Sequence, residues 1–197
     1  MAGDAMNRMI LVLSSLLLLA ACQAASAPPL AGAKIGGPFA LTSQDNATVR
    51  DTDFAGKYRI VYFGYTYCPD VCPTDVQNIA LGLKKFEKSD PQLAAQVVPI
   101  FVTVDPARDK PAVLKQFVSA FHPRLIGLTG SDAAIAQVAK EYAVFYEKMP
   151  QTPGATGYLV NHARSTYLMD RDGKPVALLR ADESGDAVYD DLKRWVR

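Results

Sequence analysis

A run rich in β-branched and aromatic residues, Tyr58 to Phe63, lies between Gly56 and Gly64. A short apolar run bounded by glycines is typical of a buried strand, because side chains on both faces of such a strand avoid water. A buried strand needs further strands beside it and layers above and below it. The run therefore predicts a central strand, and the fold class depends on the elements that follow it.

The segments after this strand alternate between helical and extended patterns. Apolar residues at helical spacing predict helices that begin at Pro73, at Pro111 and after the capping residue Ser131. A second strand is predicted over 97–104, a hairpin over 165–179, and a last helix at the C-terminus. This order predicts an α/β, thioredoxin-like fold: a central mixed sheet flanked by helices, with an inserted helix before the C-terminal hairpin.

The first 22 residues have the pattern of an export signal. Arg8 precedes an apolar run over 9–19, which is shorter than the ~20 residues that a membrane-spanning helix needs. The run ends in two alanines directly before Cys22, and the sequence LAAC resembles the bacterial lipobox. We interpret residues 1–21 as a lipoprotein signal peptide and Cys22 as the lipidated first residue of the mature protein. The alternative is an ordinary exported protein in which this cysteine is incidental.

Residues 22–35 contain Ala, Ser, Pro and Gly without periodicity, a composition that cannot bury a core. We expect a flexible tether here, followed by one domain over 36–197. The chain has 21 Lys and Arg against 20 Asp and Glu with no long block of either sign, which argues against a nucleic-acid-binding face. The expected location is the bacterial periplasm or cell envelope, with the protein exported and lipid-anchored to a membrane.

Two of the three cysteines, Cys68 and Cys72, lie between the first predicted strand and its helix. Three intervening residues can put both sulfurs on one side of a helical turn, so the pair could form a structural disulfide, exchange electrons or bind a metal. A disulfide across so short a loop would add little stability. The spacing does not choose between the other two. The helix N-terminus is expected to lower the pKa of a thiol here.

Four segments resemble, in order and spacing, the Sco/SenC family of copper-binding, thioredoxin-fold proteins, which assist assembly of the copper A centre of cytochrome c oxidase. The segments are YFGYTYCPDVCPTDV (62–76), VTVDPARDKP (102–111), GLTG (127–130) and VNHARSTYLMDRDG (160–173). The resemblance implies that 36–197 is a thioredoxin-like copper-binding domain whose copper ligands are Cys68, Cys72 and His162. Two thiolates and an imidazole form a soft donor set that suits Cu(I) and is acceptable for Cu(II).

The resemblance implies a copper chaperone rather than an enzyme. Its implied partners are the copper-A subunit of the oxidase, an extracytoplasmic copper donor, a thioredoxin-like reductant and, through the lipid, the membrane. The alternative is a thiol-disulfide reductase with Cys68 and Cys72 as its redox-active pair, acting on oxidase cysteines or in redox defence. The cysteine spacing, the presence of His162 and the absence of proline from 161–164 favour the chaperone.

Some neighbouring residues carry open alternatives. The family commonly has Asp where this chain has Asn161, and often Ser where it has Ala163. If Asn161 contacts the imidazole, loss of the carboxylate would weaken metal binding; if it points elsewhere, the change has no effect. His122, the other histidine, is interpreted as a capping or surface residue.

Two further groups of residues are expected to shape the site. The segments Asp105-Pro106 and Arg108-Asp109 could shape the rim of the site, but we favour an internal ion pair that holds their loop. Three tyrosines are expected to wall the site, with alternating core and rim positions: Tyr62, Tyr65 and Tyr67.

Overall fold

The structure is a computed structural model that describes residues 27–151, 154 and 157–197. The predicted signal peptide and Cys22 lie outside the described residues. Within the described part of the chain, no helix is long and apolar enough to cross a membrane.

Strands and helices alternate along most of the described chain. The strands are β1 (Ala40–Ser43), β2 (Thr48–Arg50), β3 (Tyr58–Gly64), β4 (Val97–Thr103), β5 (Ile126–Thr129), β6 (Tyr146–Lys148), β7 (Val160–His162), β8 (Thr166–Met169) and β9 (Pro175–Leu178). The helices are α1 (Val71–Ser89), α2 (Pro91–Ala94), α3 (Pro111–Ser119), α4 (Asp132–Glu141) and α5 (Gly185–Trp195), with a 3-10 turn at Asp51–Phe54.

Seven of these strands form one mixed sheet in the order β2-β1-β5-β4-β3-β8-β9. Strands β3, β4 and β5 run parallel, while β8 pairs with β3 and β9 pairs with β8 in the antiparallel sense. Every residue of β3 is buried, as the apolar run predicts. Burying side chains of this size stabilises the fold by about 1.5–3 kcal/mol each. The predicted α/β class and central mixed sheet are confirmed.

The longest helix, α1, follows β3 and packs against α5. Its buried apolar residues recur at helical spacing and include Val76, Ile79, Leu83 and Phe86. A side chain at Gly82 would bring a Cβ within 2.6 Å of the Val188 side chain on α5, so glycine lets the two helices approach closely. This packing holds the N-terminal turn of α1 in a fixed position at the end of β3.

Most predicted elements are present with shifted bounds. Helix α1 begins at Val71, before the predicted start at Pro73, so Cys72 belongs to its first turn. Helix α4 is the predicted insertion before the hairpin of β8 and β9, and Ser131 caps it by accepting the Ala134 N–H at 3.2 Å. The patterns did not predict β1, β2, β5, β6 or β7, because strands of three or four residues show too few alternations to be distinguished from loops. Strands β8 and β9 are equally short, but the turn between them indicated the hairpin.

Part of the segment expected to be a tether lies against the domain. The backbone N–H of Leu30 donates to the Val176 carbonyl at 3.0 Å, and the N–H of Gly36 donates to Glu141 at 2.8 Å. The side chains of Leu30 and Ile35 pack against the core. The chain from Leu30 onward is therefore attached to the sheet at the start of β9.

Candidate metal centre

Cys68 and Cys72 lie at the carboxyl end of β3, the edge at which open α/β sheets place their ligand sites. Cys68 is half-buried in the turn after the strand, while Cys72 is fully buried in the first turn of α1. Both are free thiols, and the backbone N–H of Cys72 donates to Cys68 Sγ at 3.4 Å. The turn therefore brings the two sulfurs to one side, as the spacing predicts.

Gly64 makes room for this turn. A Cβ at this position would lie 3.0 Å from Cys72 Sγ and 2.8 Å from the ring of Tyr62. Any larger residue would push the strand end away from the sulfur. The glycine that bounds the apolar run in the sequence is therefore part of the site.

His162 approaches the cysteines from a separate two-stranded sheet made by β6 and β7. It is the last residue of β7 and pairs with Tyr146, so it lies in a short strand. Its Nε2 is 3.1 Å from Cys72 Sγ. Its Nδ1 is 3.0 Å from the Ala163 carbonyl, which can only accept. The ring proton therefore sits on Nδ1, and the Nε2 lone pair faces the sulfur.

The two Sγ atoms and the imidazole nitrogen lie within 4.8 Å of one another. Bonds of roughly 2.0–2.3 Å, the lengths known for zinc sites, hold ligand atoms up to about 4.6 Å apart. The arrangement is thus close to what a metal ion requires. In the described part of the chain, no other cluster of three His, Cys, Asp or Glu side chains converges in this way.

Burial sets the protonation of the site without metal. It raises the pKa of the Cys72 thiol, and the neighbouring Cys68 adds to the shift. The expectation that the helix end lowers the thiol pKa is therefore wrong for Cys72, because loss of solvent outweighs the helix. Burial also lowers the pKa of His162, which keeps the imidazole neutral and its lone pair available at neutral pH. Metal uptake would have to displace the thiol protons.

Two of the three expected tyrosines wall the site. The rings of Tyr62 and Tyr65 are buried and meet the His162 ring edge-on, with centroids 6.3 and 5.9 Å away. Tyr67 is 53% exposed, and its ring contacts the Arg108 guanidinium at 4.9 Å. Tyr67 therefore lies on the rim, while Tyr62 and Tyr65 both lie in the core, so the three positions do not alternate as predicted.

The loop after β4 supports the cysteine turn through two buried carboxylates. Asp105 pairs with Arg108, which confirms the predicted ion pair. Asp109 accepts the backbone N–H of Thr66 at 3.0 Å and its hydroxyl at 2.6 Å, and also the hydroxyl of Thr103. Leaving a buried polar group without a hydrogen-bond partner destabilises the fold by about 1–3 kcal/mol, and by more when the group is charged. These bonds fix the chain two residues before Cys68.

Two alternatives from the sequence are resolved by side-chain direction. Asn161 is exposed, and its Nδ2 contacts Met149 Sδ at 3.0 Å, so it points away from the imidazole.

His122 is buried, accepts the Arg124 N–H at Nδ1 at 3.2 Å and faces Glu87 with Nε2 at 3.4 Å. The surface interpretation of His122 is wrong. Its ring bonds to the loop between α3 and β5.

Sequence reasoning missed an ion pair beside the ligands. Arg164 donates to both carboxylate oxygens of the buried Asp75, from Nε at 3.0 Å and from Nη2 at 2.6 Å. The two residues are 89 positions apart. The only sequence signal for this pair was that Asp75 lies three residues after Cys72 and Arg164 two residues after His162.

Comparison with known proteins identifies the family. A model of the SCO1/SenC family matches residues 27–197. The chain belongs to the SCO1/SenC family. A second model, for a prokaryotic membrane lipoprotein lipid attachment site, matches residues 6–23. This match supports an exported SCO1/SenC protein that is anchored to a membrane by a lipid.

Relatives of this SCO1/SenC protein include a mitochondrial SCO1 homologue from Arabidopsis thaliana, 38% identical over 86% of this chain. The chain spans about half of that relative, 49% of its length. The copper-bound structure of ScoI from Bradyrhizobium japonicum is 42% identical, with a TM-score of 0.72 over 82% of this chain and 99% of that one.

A thioredoxin domain of a thiol-disulfide oxidoreductase from Bacteroides vulgatus shares 17% identity with a TM-score of 0.56. The match covers 83% of this chain and 96% of that domain, and it shows the fold alone. The predicted thioredoxin-like fold of this SCO1/SenC chain is confirmed.

Proposed function

We propose that this protein is a copper chaperone that binds copper through Cys68, Cys72 and His162 and assists assembly of the copper A centre of cytochrome c oxidase. The convergence of two sulfurs and one lone-pair nitrogen within 4.8 Å carries the proposal. Thiolate and imidazole ligands suit copper in both oxidation states, with the thiolates favouring Cu(I). The copper-bound relatives and the family's role in oxidase assembly support it.

The two sulfurs would contribute differently to copper transfer. Cys72 is fully buried, whereas Cys68 is half-buried at the protein surface. His162 is half-buried as well, so a protein that delivers or accepts copper would reach the ion from the side of Cys68 and His162, opposite the buried Cys72. A site with three protein ligands leaves room for a donor atom of that partner, so copper can pass by ligand exchange without any turnover of substrate.

One observation also favours the second candidate, a thiol-disulfide reductase. Cys68 is the more accessible cysteine and accepts a backbone N–H, while Cys72 is buried and has a raised pKa. This arrangement suits attack on a substrate disulfide by the first thiol and resolution of the mixed disulfide by the second. Such a pair needs no histidine ligand. The role of His162 therefore distinguishes the two functions.

Metal analysis of protein purified without chelator tests the chaperone proposal. We expect one copper per chain after the thiols are reduced, and little copper while Cys68 and Cys72 are joined in a disulfide, because the disulfide removes both thiolate ligands. Reduced protein that takes up no copper from a copper(I) buffer would contradict the proposal.

We further propose that residues 1–21 are removed, that Cys22 is lipidated in the bacterial periplasm, and that residues after it connect the lipid to the domain over 36–197. Mass spectrometry of the mature protein is expected to show a lipid-modified N-terminal cysteine, and Cys22→Ser should release the protein from the membrane fraction. An unmodified N-terminus downstream of Cys22 would contradict this assignment.

A further inference from the structure

Asp75 and Arg164 lie next to the two sides of the site. Asp75 follows Cys72 by three residues on α1, so both side chains lie on the same helical face. Arg164 follows His162 by two residues, between β7 and β8. The carboxylate of Asp75 is fully buried, while the Arg164 side chain is 40% exposed. Two parallel hydrogen bonds, of 3.0 and 2.6 Å, join them.

The same carboxylate also fixes a ring that His162 touches. The Tyr62 hydroxyl donates to Asp75 Oδ2 at 3.0 Å, and Arg164 Nε donates to the same oxygen. The Tyr62 ring meets the His162 ring edge-on, with an interplanar angle of 88°. Asp75 therefore acts on His162 in two ways, through the segment that carries it and through the ring beside it.

We propose that Asp75 and Arg164 are positioning residues that hold His162 Nε2 against Cys72 Sγ. This inference deepens the proposed function and rests on it. Cys72 and His162 are 90 residues apart, the first on helix α1 and the second on strand β7 of the two-stranded sheet. The Asp75–Arg164 ion pair joins α1, which carries Cys72, to the segment that carries His162. It lies within three residues of each partner in the 3.1 Å contact of Cys72 Sγ with His162 Nε2. A bidentate guanidinium-carboxylate pair fixes orientation as well as distance.

The two kinds of ligand depend on this pair unequally. Cys68 and Cys72 come from one continuous stretch, and the loop after β4 holds that stretch through Asp109. His162 is held by the pairing of β7 with β6, by its ring contacts and by its bond to Ala163, and none of these contacts joins it to α1. Loss of the pair should therefore affect the nitrogen ligand first. Cu(II) prefers nitrogen donors more than Cu(I) does, so its binding should suffer more.

The test uses Arg164→Ala and Arg164→Lys in the full mature domain with Cu(II) and Cu(I) as probes. Arg164→Ala is expected to weaken Cu(II) binding about 10-fold or more, within the 10–100-fold range for partners that orient metal ligands, and to change the electron paramagnetic resonance spectrum of bound Cu(II). Cu(I) affinity should change less. Arg164→Lys should retain part of the Cu(II) affinity that Arg164→Ala loses, because lysine keeps the positive charge but cannot form two parallel hydrogen bonds.

A readout without metal is the nitrogen-15 NMR signal of the His162 ring in the reduced apo protein. Arg164→Ala should change the ring shifts that report the Nδ1–H tautomer, and Asp75→Asn should change them in the same direction. The double variant should show little beyond the larger single effect, because the residues act as one unit.

Arg180→Ala is the matched control. Arg180 also forms a two-armed bridge to a largely buried aspartate, Asp191, but between the end of β9 and α5. It should lower stability without moving the His162 signals or the Cu(II) spectrum. The proposal is overturned if Arg164→Ala leaves the His162 NMR signals and the Cu(II) spectrum unchanged, or changes these two readouts only as much as Arg180→Ala does. If wild-type protein binds no copper, the proposed function fails, while the apo NMR result still tests the positioning role.

Discussion

Cys68→Ala and Cys72→Ala are each expected to abolish tight copper binding by the reduced protein. Each change removes one of two thiolates, the strongest donors in the set. The loss should exceed the ~10–100-fold effect of removing a partner that only orients a ligand. Competition with a chromophoric copper(I) chelator measures it for each variant. Circular dichroism shows whether the buried Cys72 position tolerates the change.

His162→Ala should separate the two oxidation states. Cu(I) can remain bound by two thiolates, whereas Cu(II) prefers a further nitrogen or oxygen donor, so Cu(II) binding should weaken more. The matched control is His122→Gln, because His122 is the other histidine and contacts Glu87 and Arg124 instead of the cysteines. If His162→Ala protein binds both oxidation states as tightly as wild type, then His162 is not a ligand.

Complementation of a strain that lacks this gene should separate the chaperone from the reductase. For a chaperone, we expect substitutions at Cys68, Cys72 and His162 all to fail to restore copper-A oxidase activity, and added copper to restore part of it. The reason is that all three side chains hold the cargo, while copper at high concentration can bypass a carrier. A reduced pair is also required, so a separate thioredoxin-like reductant should be needed.

The reductase predicts the opposite pattern in the same assay. His162→Ala should then work normally, since only the cysteine pair exchanges electrons, and an added thiol rather than copper should rescue the deletion. Oxidase activity and protein level in the membrane fraction are measured together, so that poor expression of a variant is not mistaken for loss of function. Rescue by thiol alone, with His162 dispensable, would replace the chaperone with the reductase.

The sequence alone determined the elements whose information is local. The apolar run that became β3, the helical spacing of α1, α3 and α4, and the turn of the hairpin all come from contacts between residues near in sequence. The position of Cys68 and Cys72 at the carboxyl end of β3 follows from the same local order. The third ligand is different, because only the resemblance to a family pointed to His162.

Tertiary structure decided what depends on residues far apart in sequence. The contact of His162 Nε2 with Cys72 Sγ spans 90 positions, and the ion pair of Asp75 with Arg164 spans 89. The short strands β6 and β7 direct His162 towards the sulfurs, while Asn161 points to the other face because successive strand residues alternate. The raised pKa of Cys72 likewise comes from burial by the assembled fold. Local patterns carry no information on these distances or on burial, which exist only once the sheet and helices have packed together.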